Sequence, residues 1–263
     1  MTKSTGTIYF SAAAATLILW GCASVPYTGR RQMLLVSGAE EIKMGQEAYA
    51  KVLKDSKLSP DTEKTGMVRR VGLRLAKVSN APAGFQWEFS LIEDEKQINA
   101  FCLPGGKVAV YTALLPVAGD EAGLAVVMGH EIAHALARHG AERMSQGMAA
   151  GIGSQILSVA LANKAPETQD AFSKAYGLGM NVGVMMPFSR SHESEADHIG
   201  LILMAKAGYD PHAALDFWRR MKTATKSPDS SLAKYLSTHP GDDTRIKAIE
   251  GWLPEAMKYY KPG

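Results

Sequence analysis

The chain has 263 residues, 46% of them hydrophobic and 21% charged, an ordinary composition for a globular protein with one main domain and appendages. Its formal net charge of +3, with no clustered Lys/Arg run, gives no footing for nucleic-acid binding. Two cysteines exclude a disulfide scaffold and a four-thiolate zinc ribbon, while 13 Met and 25 Gly point to closely packed helices rather than a long regular sheet.

Residues 1–27 do not read as part of the fold. Lys3 is the only charge before Arg30, and Ile8 to Trp20 is an apolar run too short to span a bilayer but suited to an export signal. It ends Leu19-Trp20-Gly21-Cys22-Ala23. A small residue followed by Cys resembles the bacterial lipoprotein cleavage box. The resemblance implies a signal peptide at 1–21 and a lipid anchor on Cys22, and Ala23 in place of Asp favours the outer membrane over the inner. The expected location is therefore the bacterial cell envelope, as a periplasm-facing lipoprotein. Cys102, inside Ala-Phe-Cys-Leu-Pro, reads as a buried, inert thiol.

Residues 22–38 read as a tether ending in an extended segment, and 39–263 as the folded domain. Glu40 to Leu53 and Asp61 to Val78 carry apolar residues at helical spacing. Trp87 to Ile92 alternates and 108–111 is rich in β-branched residues, with a turn at Leu103-Pro-Gly-Gly106 between them. Asp120 is a predicted N-cap for a helix running from Ala122 to His139 and stopping at Gly140. Residues 147–162 lack charge but are too few and too polar for a membrane span. The small-residue pairs Gly147/Gly151 and Gly179/Gly183 read as helix packing, the alternative being a membrane-helix contact. Helices are expected at 192–207, 211–225 and about 242–260, the last two forming a helical C-terminal extension over 211–263.

The chemistry lies in two pairs of residues. His130-Glu131-Ile132-Ala133-His134 places two imidazoles four residues apart on one helix face, where both can meet one metal ion. Glu131 can hold a water on the open side of that ion, whose pKa zinc lowers to about 7, and take its proton. Composition alone gives such a pattern in about one chain of this size in a hundred. A catalytic zinc keeps three protein ligands. Ala137 and Gly140 exclude the class whose third ligand is a His further along the same helix, and His139 falls about 140° round that helix from His134. Glu193 and Asp197 supply the better candidates: Glu193 as third ligand, and Asp197 one turn on to accept the N–H of a ligating His. Glu195 points elsewhere on an ideal helix, and His192 and His198 are rival ligands.

These motifs resemble the exported branch of the zinc peptidase family that contains the CAAX prenyl endopeptidases and the HtpX heat-shock proteases, a gluzincin group. The resemblance rests on His130-Glu-Ile-Ala-His134 followed by Ser189-Arg-x-x-Glu193-x-x-Ala-Asp197, on Asn99-Ala-Phe-Cys-Leu-Pro-Gly-Gly106, and on Ser237-Thr-His239-Pro240 with Arg245. It covers roughly residues 28–255. It implies an α+β, mostly α, zincin-like fold with a small β-sheet whose edge strand lies beside the active-site helix. It also implies one zinc ion held by His130, His134 and Glu193, with Glu131 as general base and Asp197 behind the ligands. The segment Asn99, Ala100, Phe101, with Gly105 and Gly106, would bind substrate backbone by strand addition. His239 is read either as a donor to the tetrahedral oxyanion or as a cap on the zinc in a latent state. The implied activity is endopeptidase cleavage of unfolded or misassembled envelope proteins. The alternatives are a chaperone-like assembly factor with a closed metal site, and a membrane-inserted protease using residues 147–186.

Overall fold

The computed structural model describes residues 22–161, 188–224, 239 and 243–262. The leader and the second small-residue pair, Gly179/Gly183, lie outside the described residues. So do the neighbours of His239 in the Ser-Thr-His-Pro stretch.

The chain divides into two compact units, Met1–Ser37 with Gly140–Met186, and Gly38–His139 with Pro187–Gly263. In the first, β1 (Cys22–Ser24) pairs antiparallel with β2 (Arg31–Met33), Cys22 opposite Met33. A short ladder thus occupies the segment read as a tether. Tyr27 and Gly29 turn the chain with positive φ. Arg30 donates through both Nη atoms to the two Glu142 carboxylate oxygens, at 2.9 and 2.7 Å. The backbone N–H of Leu35 donates to Ser145 Oγ at 2.8 Å.

The second unit begins with α1 (Gly38–Asp55) and α2 (Thr62–Val78). Asp61 caps α2, accepting from the backbone N–H of Lys64 at 2.9 Å and satisfying a donor the helix leaves orphaned. Three strands follow: β3 (Glu88–Ile92), β4 (Ala100–Leu103) and β5 (Lys107–Tyr111). Their order is β3-β5-β4, with β3 parallel and β4 antiparallel to β5. The middle strand is the most buried, as its unbroken Val108-Ala-Val110 run requires. A single 3₁₀ turn (Thr112–Leu114) and the one-turn α3 (Leu115–Ala118) lead to Gly119, whose φ of 85° redirects the chain.

Helix α4 (Glu121–Leu136) is capped by Asp120, which accepts from the backbone N–H of Gly123 at 2.8 Å. From Gly123 to Leu136 every residue of α4 is buried. It lies under α2, β4 and α6 (Arg190–Lys206), with α7 (Ala213–Ala224) and α8 (Asp243–Ala256) closing the core through Phe217, Met221 and Ile249. Leu124, Met128, Ile132, Ile199, Leu203 and Leu75 are fully buried at its centre, each worth about 1.5–3 kcal/mol in transfer free energy. The architecture is α+β and mostly helical. No single helix among the described residues is long and apolar enough to cross a membrane.

One helix boundary departs from the sequence pattern, with consequences for the site. The apolar pattern carries a single helix through to His139, but α4 ends at Leu136 with Ala137 as its C-cap. Arg138 takes a φ of 56°, a left-handed conformation that costs a non-glycine residue about 1–2 kcal/mol. Its guanidinium Nε donates to the buried Glu41 carboxylate at 2.6 Å, which holds the turn. The next helix, α5 (His139–Leu161), starts on the following residue. His139 therefore does not sit 140° round α4.

Candidate metal centre

Helix α4 presents His130 and His134 one turn apart, their Nε2 atoms 3.1 Å from each other. Helix α6 brings Glu193 to both: its carboxylate oxygens lie 3.4 Å from His130 Nε2 and 3.3 Å from His134 Nε2. Ser189 makes this possible locally, capping α6 by accepting from the backbone N–H of His192. A fourth donor arrives from far along the chain. His239 Nδ1 lies 3.2 Å from His130 Nε2 and 3.2 and 3.3 Å from the Glu193 oxygens. All four side chains are buried. Among the described residues this is the group of His, Cys, Asp and Glu side chains whose donor atoms converge as metal ligands do.

The spacing tests what the group fits. Four ligands about 2.0–2.1 Å from a tetrahedral ion stand about 3.3–3.4 Å apart. The separations from His130 to His134 and His239, and from the two imidazoles to one or other Glu193 oxygen, run from 3.1 to 3.4 Å, and one donor atom from each of the four residues falls within 4.8 Å of all the others. Imidazole nitrogen with one carboxylate is the donor chemistry of zinc sites.

The electrostatics point the same way. Burial works against a charged Glu193, but the hydrogen bonds offered by His130, His134 and His239 outweigh it and hold the carboxyl far below its usual range. Burial likewise opposes ionisation of Asp197. The Arg245 guanidinium and His130 overcome it, so this carboxyl too is held low. Burial would neutralise His130, yet Asp197 and Glu193 lift it to about 10. The two ionised carboxylates in this dry site thus face two positive groups, the Arg245 guanidinium and a His130 imidazolium whose proton a bound metal ion would replace.

Behind the donors, His130 Nδ1 donates to Asp197 Oδ1 at 2.9 Å. Arg245 grips Asp197 with two bonds of 2.7 Å, from Nε and Nη2, and reaches Glu193 Oε2 through Nη1 at 3.0 Å. Its guanidinium lies 3.8 Å from the centre of the Trp218 ring. Glu131 is buried with Oε1 lacking a hydrogen-bond donor and 3.5 Å from His239 Nε2. Burial raises its pKa, and the neighbouring His239 and His130 only partly offset that.

The rival histidines lie elsewhere. His198 Nε2 donates to Glu255 at 2.8 Å and its ring stacks on Trp252. His192 stacks on His139 with ring centres 4.4 Å apart. His139 and Glu195, which helix periodicity sets aside, stand directly behind His134: His139 Nδ1 is 2.8 Å from His134 Nδ1, and His139 Nε2 is 2.9 Å from Glu195 Oε2.

Asn99 immediately precedes β4, whose first two residues are Ala100 and Phe101; β4 is an edge strand among the described residues, packed beside α4. Asn99 O accepts from Tyr111 N at 3.0 Å, so by antiparallel alternation the backbone polar groups of Ala100 and Cys102 point away from β5. The two turn glycines have another reason to be there. Gly105 and Gly106 have φ of 85° and 82°, and a Cβ would stand 3.2 Å from Ile42 on Gly105 and 2.9 Å from Trp87 on Gly106. Both positions thus need glycine for the turn and its packing. Burial drives the Cys102 thiol upward, well away from a reactive thiolate.

A family model described as peptidase family M48 matches residues 62–253. The chain is 40% identical over 236 residues to the mitochondrial metalloendopeptidase OMA1 of Schizosaccharomyces pombe, covering 89% of this chain and 67% of that protein. It is 28% identical over 268 residues to the protein of the same name in Saccharomyces cerevisiae, covering 93% and 75%. It is 29% identical over 227 residues to the β-barrel assembly-enhancing protease of Escherichia coli, covering 85% of this chain and 46% of that one. These relatives correct the expected localisation. The yeast proteins matched along most of the chain are mitochondrial by name, which overturns the placement as a periplasm-facing lipoprotein of the bacterial outer membrane.

Proposed function

The chain belongs to peptidase family M48 and is a metalloendopeptidase, and on that premise we propose that it hydrolyses peptide bonds in unfolded polypeptides at a single zinc ion held by His130, His134 and Glu193. One observation carries this reading: two imidazoles and a carboxylate from distant helices meet at 3.1–3.4 Å, with the buried Glu131 beside them. A zinc ion there supplies Lewis acidity, polarising the scissile carbonyl and lowering the pKa of the attacking water.

The protein's own groups do the rest. Glu131, kept basic by its dry setting, takes the proton from that water and passes it to the leaving nitrogen. Asp197 fixes the His130 tautomer with Nδ1–H towards the carboxylate, and Arg245 holds Asp197 and Glu193 in register. The outward backbone groups of Ala100 and Cys102 offer a substrate strand two residues of ladder. Such main-chain recognition is tolerant of sequence and suits unfolded chains.

A second reading is favoured by His239. Its Nδ1 occupies the place of a fourth donor, the arrangement of a closed and resting site. The same site then serves a latent enzyme, or an assembly factor that opens only on a client.

The test is cleavage of casein by zinc-loaded protein, comparing wild type with Glu131→Gln. The variant should keep its zinc and lose about 10²–10⁴-fold in turnover. Equal activity in the two would overturn the assignment of Glu131 and with it the hydrolytic reading.

A further inference from the structure

We propose that His139 and Glu195 form a relay that sets the tautomer and ring orientation of His134, making them positioning residues for the metal centre. The inference rests on the zinc reading above and adds to it two residues that neither motif contains.

The proton positions follow by elimination. His134 turns Nε2 towards the other donors, 3.1 Å from His130 Nε2 and 3.3 Å from Glu193 Oε1. A nitrogen that ligates carries no proton, so a neutral His134 bears its hydrogen on Nδ1. Nδ1 faces His139 Nδ1 at 2.8 Å. Two nitrogens at that distance share one hydrogen. His134 donates, His139 Nδ1 accepts, and the hydrogen of His139 is left on Nε2. That nitrogen meets Glu195 Oε2 at 2.9 Å, where a carboxylate accepts it. The order His134 Nδ1–H, His139 Nε2–H, Glu195 carboxylate is the one in which every nitrogen has a compatible partner.

The surroundings fix each member. His139 is 0% exposed and Glu195 7%. His192 lies flat against His139, 19° from parallel, and restricts its ring. The backbone brings His139 there only because Arg138 breaks α4 with its left-handed φ and is tied to Glu41. A straight continuation of α4 would carry residue 139 away from His134.

The result is two parallel supports. His130 leans on Asp197 and Arg245, and His134 leans on His139 and Glu195. Partners of ligating histidines raise ligand basicity and hold the ring in place, and losing one typically costs 10–100-fold in metal affinity.

The test reads zinc affinity by chelator competition, and histidine tautomers by ¹⁵N NMR of the zinc-loaded wild type. His139→Phe keeps a ring and removes the acceptor, so it should lose about 10–100-fold in zinc affinity. His139→Asn places a carbonyl oxygen near the lost Nδ1 and should recover most of that. In wild type His139 should be the neutral Nε2–H form. Wild type that takes up no zinc defeats the metal reading, and the relay with it. Wild type that binds zinc, with His139→Phe and His139→Asn at equal affinity, overturns the relay alone. If His139→Phe does not fold, the tautomer decides: Nδ1–H on His139 contradicts the relay.

Discussion

Gly200 of α6 rests directly on the backbone of Gly129 and His130 of α4. A Cβ on Gly200 would lie 2.9 Å from His130 N and 3.0 Å from Gly129 C, and one on Gly129 would lie 3.1 Å from Gly200 O. The absence of side chains at this crossing lets the ligand-bearing faces approach closely enough for Glu193 to reach both imidazoles.

Gly200→Ala must push the helices apart where His130 begins. Overpacking of this kind costs about 1–3 kcal/mol, and the displaced His130 should also bind zinc more weakly. Gly251→Ala is the control. Its Cβ meets nothing within 4 Å in helix α8, so the gain in helix propensity should raise stability by up to about 1 kcal/mol. Thermal unfolding of both variants, with zinc titration of the first, checks the opposite signs.

Asp197→Asn keeps the shape of the side chain but takes from Arg245 one of its two carboxylate partners, leaving Glu193 alone, in a site where all three are buried. Zinc affinity should fall about 10–100-fold, measured by chelator competition. Unchanged affinity would remove Asp197 from the support of His130.

His239→Ala should raise turnover on casein while lowering zinc affinity. Its Nδ1 stands among the donor atoms, so removing it opens the fourth position. Lost turnover with zinc retained would instead assign His239 to stabilising the oxyanion.

The N-cap of α2 gives a pH signature. Asp61 is held below its ordinary value of 3.8, chiefly by the backbone N–H of Lys64 and then by the Lys64 side chain. A carboxyl lowered in the folded state contributes stability above its unfolded pKa and loses it as pH falls through the folded one. The stability difference between wild type and Asp61→Ala should therefore be full at neutral pH and shrink below about pH 4. Urea titrations at pH 7 and pH 3 read it, and a difference that grows on acidification would contradict the capping account.

Local spacing makes some of this molecule readable. His130 with His134, and Glu193 with Asp197, are four residues apart, and any regular helix places such pairs on one face. Asp61 and Asp120 announce their helices through short side chains that accept orphaned N–H groups. What escaped lies where local order gives way to tertiary contact. Helical arithmetic sets His139 aside because it assumes a straight helix, and Arg138 breaks it with a conformation no propensity favours for that residue. Glu195 looks like one more acid on a solvated face until His139 is known to sit opposite. The β3-β5-β4 order and the Gly129–Gly200 contact arise from packing between segments far apart in sequence. The nearest signal for His139 in the sequence is that it is a third imidazole, five residues after His134.

The most direct measurement is the coordination sphere of the zinc-loaded protein by X-ray absorption, in wild type and Glu193→Gln. Wild type should bind one zinc through nitrogen and oxygen ligands at about 2.0–2.1 Å, with at least two imidazoles, and the carboxylate contribution should vanish in the variant. Zinc scattering from sulfur at about 2.3 Å, or a sphere indifferent to Glu193→Gln, would place the ion elsewhere and contradict the centre described here.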